Sequence, residues 1–310
     1  VLALEAEAHG LADQLPELLI EAMRIAVTVA HGIHGRRRAG PGETFWQFRQ
    51  FQSSDAAQLI DWRRSASSDH LFVREREWEA AHTIWLWPDL SPSMNFNSHL
   101  SEGTKRDRAL VLTLALAELL VRGGERIALL GLTRPSASRN ATSKLAEAIA
   151  GNIGSPVLEA SLPPSERLSR FSGIVLFSDF LEPVDLIADR LKSLASSGIS
   201  GHLVQVLDPA EETLPYAGRT EFIGLEGDAR WIADRAESLR GAYFKALRLH
   251  RAGLEEVARR LGWSFLLHHT DRPAAEALLT MIMRLGSSGR DYRWTSASGA
   301  GRTSSAGASP

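Results

Sequence analysis

Ile84-Trp85-Leu86-Trp87-Pro88-Asp89-Leu90-Ser91-Pro92-Ser93 joins two signals in ten residues. The apolar run reads as a short buried strand, and Asp-x-Ser-x-Ser then stands at its carboxyl end. In an open α/β sheet that end is where ligands bind. One carboxylate and two hydroxyls are hard oxygen donors that suit Mg²⁺ or Mn²⁺, directly or through water. Alternate positions on the turn allow Asp89, Ser91 and Ser93 to converge on one ion. The same residue types also cap helices and brace turns, so the spacing gains meaning only from its surroundings.

Downstream, strand and helix patterns alternate. Lys105 to Val121 reads as a helix ended by Gly123-Gly124, and Ile127 to Leu132 as a second buried strand. Ser143 to Ala150 is a short helix. Gly173 to Ser178 is a third strand that runs into Asp179, followed by a helix over Val184 to Ala195. Gly201 to Leu207 is a fourth strand ending at Asp208-Pro209. Short strands are expected within 220–232, a long amphipathic helix over 235–261, a last strand over Trp263 to Leu267 and a last helix over Ala274 to Leu285. Continuous apolar strands alternating with helices predict a doubly wound, mostly parallel α/β sheet covered on both faces. That domain spans 83–286 and places Asp89, Asp179 and Asp208 at strand ends.

Upstream, residues 1–42 read as an N-terminal helix followed by a basic, breaker-rich loop, Gly35-Arg36-Arg37-Arg38-Ala39-Gly40-Pro41-Gly42. Leu11, Leu15, Leu18, Leu19, Ala22 and Ile25 form the apolar stripe of the helix. Residues 43–82 are aromatic and densely charged and predict a small β-containing subdomain, with a half-exposed strand from Leu71 to Trp78. Such a mixture serves either as a small core with ion pairs or as a contact surface, because interfaces favour Trp and Arg. Residues 287–310, rich in Ser, Gly and Ala, predict a disordered tail.

Composition narrows the function classes. The chain has 310 residues, 44% hydrophobic and 23% charged, as ordinary globular proteins do. A net charge of −2 gives no reason to expect nucleic acid as partner. The absence of cysteine excludes disulfides and thiolate chemistry and agrees with a reducing compartment. No run approaches the roughly 18 apolar residues of a membrane span. The nearest, Leu110 to Val121, is interrupted by Glu118. A cytoplasmic location is the expectation.

A second strand-end carboxylate strengthens the first. If the strands ending at Asp89 and Asp179 are neighbours, two carboxylates and the serine hydroxyls can surround one divalent ion. Thr142, before the short helix, offers a further hydroxyl, although it suits an N-cap equally well.

These residues resemble the metal-ion-dependent adhesion site of von Willebrand factor A domains. More specifically, the chain resembles the bacterial domain of unknown function 58 family, whose members contain a von Willebrand factor A-like fold. The resemblance rests on Asp55-Ala56-Ala57-Gln58-Leu59-Ile60-Asp61-Trp62-Arg63, Leu71-Phe72-Val73 and the Asp89 motif, in that order. Gly124-Glu125-Arg126, Ser178-Asp179-Phe180 and Val206 to Glu212 follow, so it covers residues 10–285. Ser54 stands where the family usually has glycine, and Gln58 where it usually has arginine.

The resemblance implies binding rather than turnover. It makes Asp89, Ser91, Ser93, Asp179 and, weakly, Thr142 the ligands of Mg²⁺ or Mn²⁺, and Asp55, Asp61, Trp62 and Arg63 a family motif and partner surface. It also implies a MoxR-type AAA+ ATPase, or that enzyme's substrate, as protein partner of a non-catalytic adaptor. A metal-free scaffold is the alternative. A Mg²⁺-dependent hydrolase is the third reading, opposed by the lack of a phosphate-binding Gly-x-x-x-x-Gly-Lys loop and of a Gly-x-Ser-x-Gly elbow.

Overall fold

The computed structural model of the chain describes residues 2–34, 46–52, 58, 60–66, 68, 70–76, 82–170, 172–196, 198–227 and 229–298. The basic loop from Gly35 to Gly42, Asp55, Trp78 and residues 299–310 lie outside them. Two compact units form, Val1–His31 with His82–Pro310, and Gly32–Ala81.

The larger unit holds a five-stranded parallel sheet in the order β4-β3-β5-β6-β9. Its strands are β3 (Thr83–Pro88), β4 (Arg126–Leu129), β5 (Gly173–Ser178), β6 (Ser200–Leu207) and β9 (Ser264–His269). They arise where the sequence carries short, nearly unbroken apolar runs, as strands covered on both faces require. Trp85 and Trp87 of β3 point to one face, where they join Ile174, Leu176, Leu203, Ile187 and Leu191 of α5 (Val184–Ala195), and Leu254 of α7 (Arg240–Leu261) in one core. The alternate residues face α3 (Lys105–Arg122), which packs on β3, β4, β5 and β6 and also touches α4 (Ala141–Ala150) and α8 (Ala274–Ser298). Gly201 allows the Trp263 ring to lie directly on β6, because a Cβ there would stand 1.9 Å from it.

The first two strands of the unit, β3 and β4, run one way from the centre and β5, β6 and β9 the other. The chain therefore reverses direction across the sheet between β3 and β5, which makes their carboxyl ends the topological switch point. Beyond β4, a single antiparallel bridge, Ile127 to Ser136, is all the pairing formed by the 132–140 loop among the described residues. A separate hairpin pairs β7 (Thr220–Ile223) with β8 (Arg230–Ala233), after the short helix α6 (Pro209–Thr213).

Helix α1 (Leu2–His34) buries Leu15, Ala22, Ala26 and Val29, a stripe offset from the expected one but of the same helical period. The last helix runs to Ser298, beyond the end at Leu285 that the sequence predicts and into the expected disordered tail from 287. A glycine inside a helix costs only about 1 kcal/mol, so Gly286 and Gly289 slow but do not stop propagation into Arg290 to Trp294. No described helix is long and apolar enough to cross a membrane.

In the smaller unit β1 (Trp46–Gln50) pairs antiparallel with β2 (Phe72–Arg76). Between them stands the four-residue helix α2 (Trp62–Ser65).

Candidate functional site at the strand ends

The backbone N–H of Asp89 donates to Phe177 O at 2.8 Å, which extends the β3–β5 ladder by one step and sets Asp89 beside the end of β5. Its carboxylate is then fixed from both sides. Ser91 N–H donates to Oδ1 at 2.9 Å and the Ser178 hydroxyl donates to Oδ2 at 2.6 Å. The Ser91 and Ser93 hydroxyls lie 3.2 Å apart on the same turn. Asp89 is buried, and burial followed by the negative charge of Asp179 pushes its carboxyl up to about 7, against the pull of the Ser178 and Ser91 bonds.

The Asp179 turn is held more tightly still. Phe180 N–H donates to the Ser178 hydroxyl at 2.9 Å, and Leu181 N–H to Asp179 Oδ1 at 3.2 Å. Gln205 Nε2 donates to Asp179 O, and His250 Nε2 lies 2.6 Å from Phe180 O. Phe180 sits at φ +50°, a left-handed conformation costly for a side chain of this size. Strain of this kind persists only where the surroundings over-determine it, and it is common at binding sites.

Opposite them is a residue the sequence reading did not single out. Lys105, the first residue of α3, is 1% exposed. Its ammonium donates to Asp179 Oδ2 at 2.8 Å and to Glu211 Oε1 at 2.7 Å. Burial works against its charge, but the two carboxylates outweigh burial and hold the ammonium above its ordinary value. The available signals were the capping box Thr104-x-x-Asp107, which fixes Lys105 at the first helical position, and Asp208-Pro209-Ala210-Glu211, which fixes Glu211 at the third helical position after β6.

Asp208 has a different task. It accepts from Ser98 N–H at 2.9 Å, from the Ser98 hydroxyl at 2.6 Å, from the Ser101 hydroxyl at 2.7 Å and from Ala210 N–H at 2.8 Å. These bonds outweigh burial and keep its carboxyl below the usual range. The third strand-end aspartate thus ties down the loop between β3 and α3.

Thr142 does not join Asp89 and Asp179. It lies inside α4, and its hydroxyl donates to Glu118 of α3 at 3.0 Å. The hydroxyl is buried in the α3–α4 contact and not at the strand ends. Among the described residues no three His, Asp or Glu side chains are grouped to share a metal. An ion here would depend on the serine hydroxyls and water as well as on Asp89 and Asp179.

In the smaller unit Asp61 is the N-cap of α2, accepting from Arg64 N–H at 3.0 Å. The Ser65 hydroxyl donates to Asp61 O and accepts from Phe72 N–H, stitching α2 to β2. This leaves Trp62 65% exposed with Arg63 beside it on the surface. Asp55 falls outside the described residues.

The family model described as "Protein of unknown function DUF58" matches residues 47–253. The chain belongs to the DUF58 family. It is 28% identical over 263 residues to uncharacterized proteins of Mycobacterium bovis and Mycobacterium tuberculosis, across 79% of this chain and 80% of each relative. Among solved structures, this DUF58 chain aligns with the conserved hypothetical protein BatB from Bacteroides thetaiotaomicron at a TM-score of 0.36 and 14% identity, covering 67% of this chain and all of that one. An aerotolerance-related membrane protein from Bacteroides fragilis aligns at a TM-score of 0.35 and 17% identity, over 66% of this chain and all of that one.

Proposed function

We propose that this DUF58 protein is a non-catalytic protein-interaction module of the von Willebrand factor A type, acting in the cytoplasm, whose recognition centre is the strand-end crevice. The observation that carries this reading is the meeting of Asp89 and Asp179 at the switch point, with the Ser91 and Ser93 hydroxyls on the Asp89 turn. Lys105 serves Asp179 and Glu211, and among the described residues no cationic side chain pairs with Asp89. Asp89, Ser91, Ser93 and Asp179 would hold Mg²⁺ or Mn²⁺, in part through water. Such an ion would supply Lewis acidity toward a carboxylate of the partner. A MoxR-type AAA+ ATPase or its substrate is the partner we assign, and the exposed Trp62–Arg63 pair of the smaller unit is a second contact of the anchor type.

One observation favours the metal-free scaffold, namely that Lys105 already supplies a positive charge to Asp179. Catalysis has less support. The Ser91 hydroxyl is shared between Ser93 and the Asp89 carboxylate, and among the described residues no histidine hydrogen-bonds to it.

Thermal unfolding of EDTA-stripped protein separates these readings. Adding MgCl₂ or MnCl₂ well above its dissociation constant should raise the melting temperature by roughly 5 °C, and Asp89→Asn should abolish the rise. Capture of the ATPase should then require the metal. A flat response with undiminished capture by Asp89→Asn leaves the scaffold.

A further inference from the structure

A cavity of about 560 Å³ opens beside the strand ends, between the Phe96 loop, α6 and the β7–β8 hairpin. Its size falls within the range of small-ligand sites. Phe96, Tyr216, Phe222, Trp231 and Tyr243 supply aromatic walls. The hairpin register sets Phe222 across from Trp231, and the two rings stack at 5.8 Å and 27°. Tyr216 meets Phe222 edge-on at 5.8 Å and 87°.

The charged residues in the wall are Glu211 and Glu221, and among the described residues no Lys, Arg or His lines it. Nearby, Arg240 is turned onto the carbonyls of Leu214 and Tyr216, and Arg230 faces Glu221 at the exposed rim, 3.5 Å away. Burial, then Glu211 and Glu212, push the Tyr243 hydroxyl up to about 12. One corner of this wall already accepts an ammonium, since Lys105 Nζ lies 2.7 Å from Glu211 and 5.8 Å from the centre of the Phe96 ring.

We propose that the pocket binds an organic cation, a guanidinium or alkylammonium carried on an apolar stem. Ring faces attract such a charge through their quadrupoles while the stem buries against the same carbon surface. A neutral guest gains the apolar burial alone, and an anion is repelled by the negative ring faces. The cation can come from a free small molecule or from an arginine or lysine side chain of a polypeptide. The site uses neither Asp89 nor a metal, so it stands or falls apart from the reading above.

Calorimetric titration of the full chain in EDTA tests it. Choline and N-acetyl-arginine amide should bind saturably, and the uncharged isostere of choline, with carbon in place of the quaternary nitrogen, should bind about tenfold more weakly. Trp231→Ala and Tyr216→Leu should each weaken the cations by a similar factor while the melting temperature stays within a few degrees of wild type. An Ala-Arg-Ala peptide that binds tighter than N-acetyl-arginine amide assigns the cation to a polypeptide, and equal binding assigns it to a free molecule. Equal binding of choline and its neutral isostere, no binding of either cation, or full binding by both variants overturns the proposal.

Discussion

Lys105 holds a full charge inside a protein wall, where an unpaired ammonium would cost several kcal/mol. It is tolerated because Asp179 and Glu211 lie 2.8 and 2.7 Å away, joining the start of α3 to the ends of β5 and β6. Lys105→Met keeps the stem but leaves two carboxylates buried together without their cation. Urea unfolding at neutral pH should show a loss of about 3–5 kcal/mol, in the range for breaking one side of a buried pair. A loss under 1 kcal/mol would mean that solvent reaches these carboxylates. The aspartates of this site were legible in the sequence because each follows an apolar run, whereas its lysine was not. A lone lysine before an apolar helix ordinarily lies in water, and only the spatial return of β5 and β6 encloses this one. Thr142 shows the converse, a hydroxyl of suitable chemistry whose position is decided by Glu118.

At the scale of elements, the crevice depends on how the 89–104 loop is held between β3 and α3. Asp208 is its tether, receiving four hydrogen bonds from Ser98, Ser101 and Ala210. Asp208→Ala should free the loop while the sheet stays intact. Amide exchange should accelerate across residues 98–101 and stay unchanged in β3 and β5, with a global loss of about 1–3 kcal/mol. Equal acceleration in β5 would show that the tether supports the sheet itself. The five parallel strands could be read from the sequence because burial on both faces demands unbroken apolar runs. Strand β1 could not, since Trp46-Gln47-Phe48-Arg49-Gln50 owes its pairing to Phe72–Arg76, more than twenty residues away. The offset stripe of α1 has a similar cause, because the surfaces it meets, and not its periodicity, select which residues are covered.

For the whole molecule, two histidines set the acid limit of stability. His202 on β6 bonds Ser264 at 2.7 Å through Nδ1, and its buried Nε2 has no partner among the described residues. His268 on β9 likewise has a buried Nε2 with no partner among the described residues. Burial, then Arg284, pulls His202 down to about 4, and burial, then Arg108 and His269, pulls His268 down to about 3. In the unfolded chain both take a proton near 6.5. Between that value and the folded one the unfolded state binds more protons, so stability falls as the pH falls. Stability is undiminished by these groups above about pH 7. By pH 5 each should have cost about 2 kcal/mol, a pH distance of about 1.5 at 1.36 kcal/mol per unit. Both side chains lie in the β6–β9 half of the sheet, away from Asp89 on the far side of β5, so their titration should be separable from any event at the strand ends. Replacing both by glutamine should remove about 4 kcal/mol of loss between pH 7 and 5, leaving the opposite contribution of Asp89, whose raised carboxyl takes up a proton in the folded state over that range, as read from urea curves at each pH. A double variant that keeps the wild-type slope would assign the acid sensitivity to other groups.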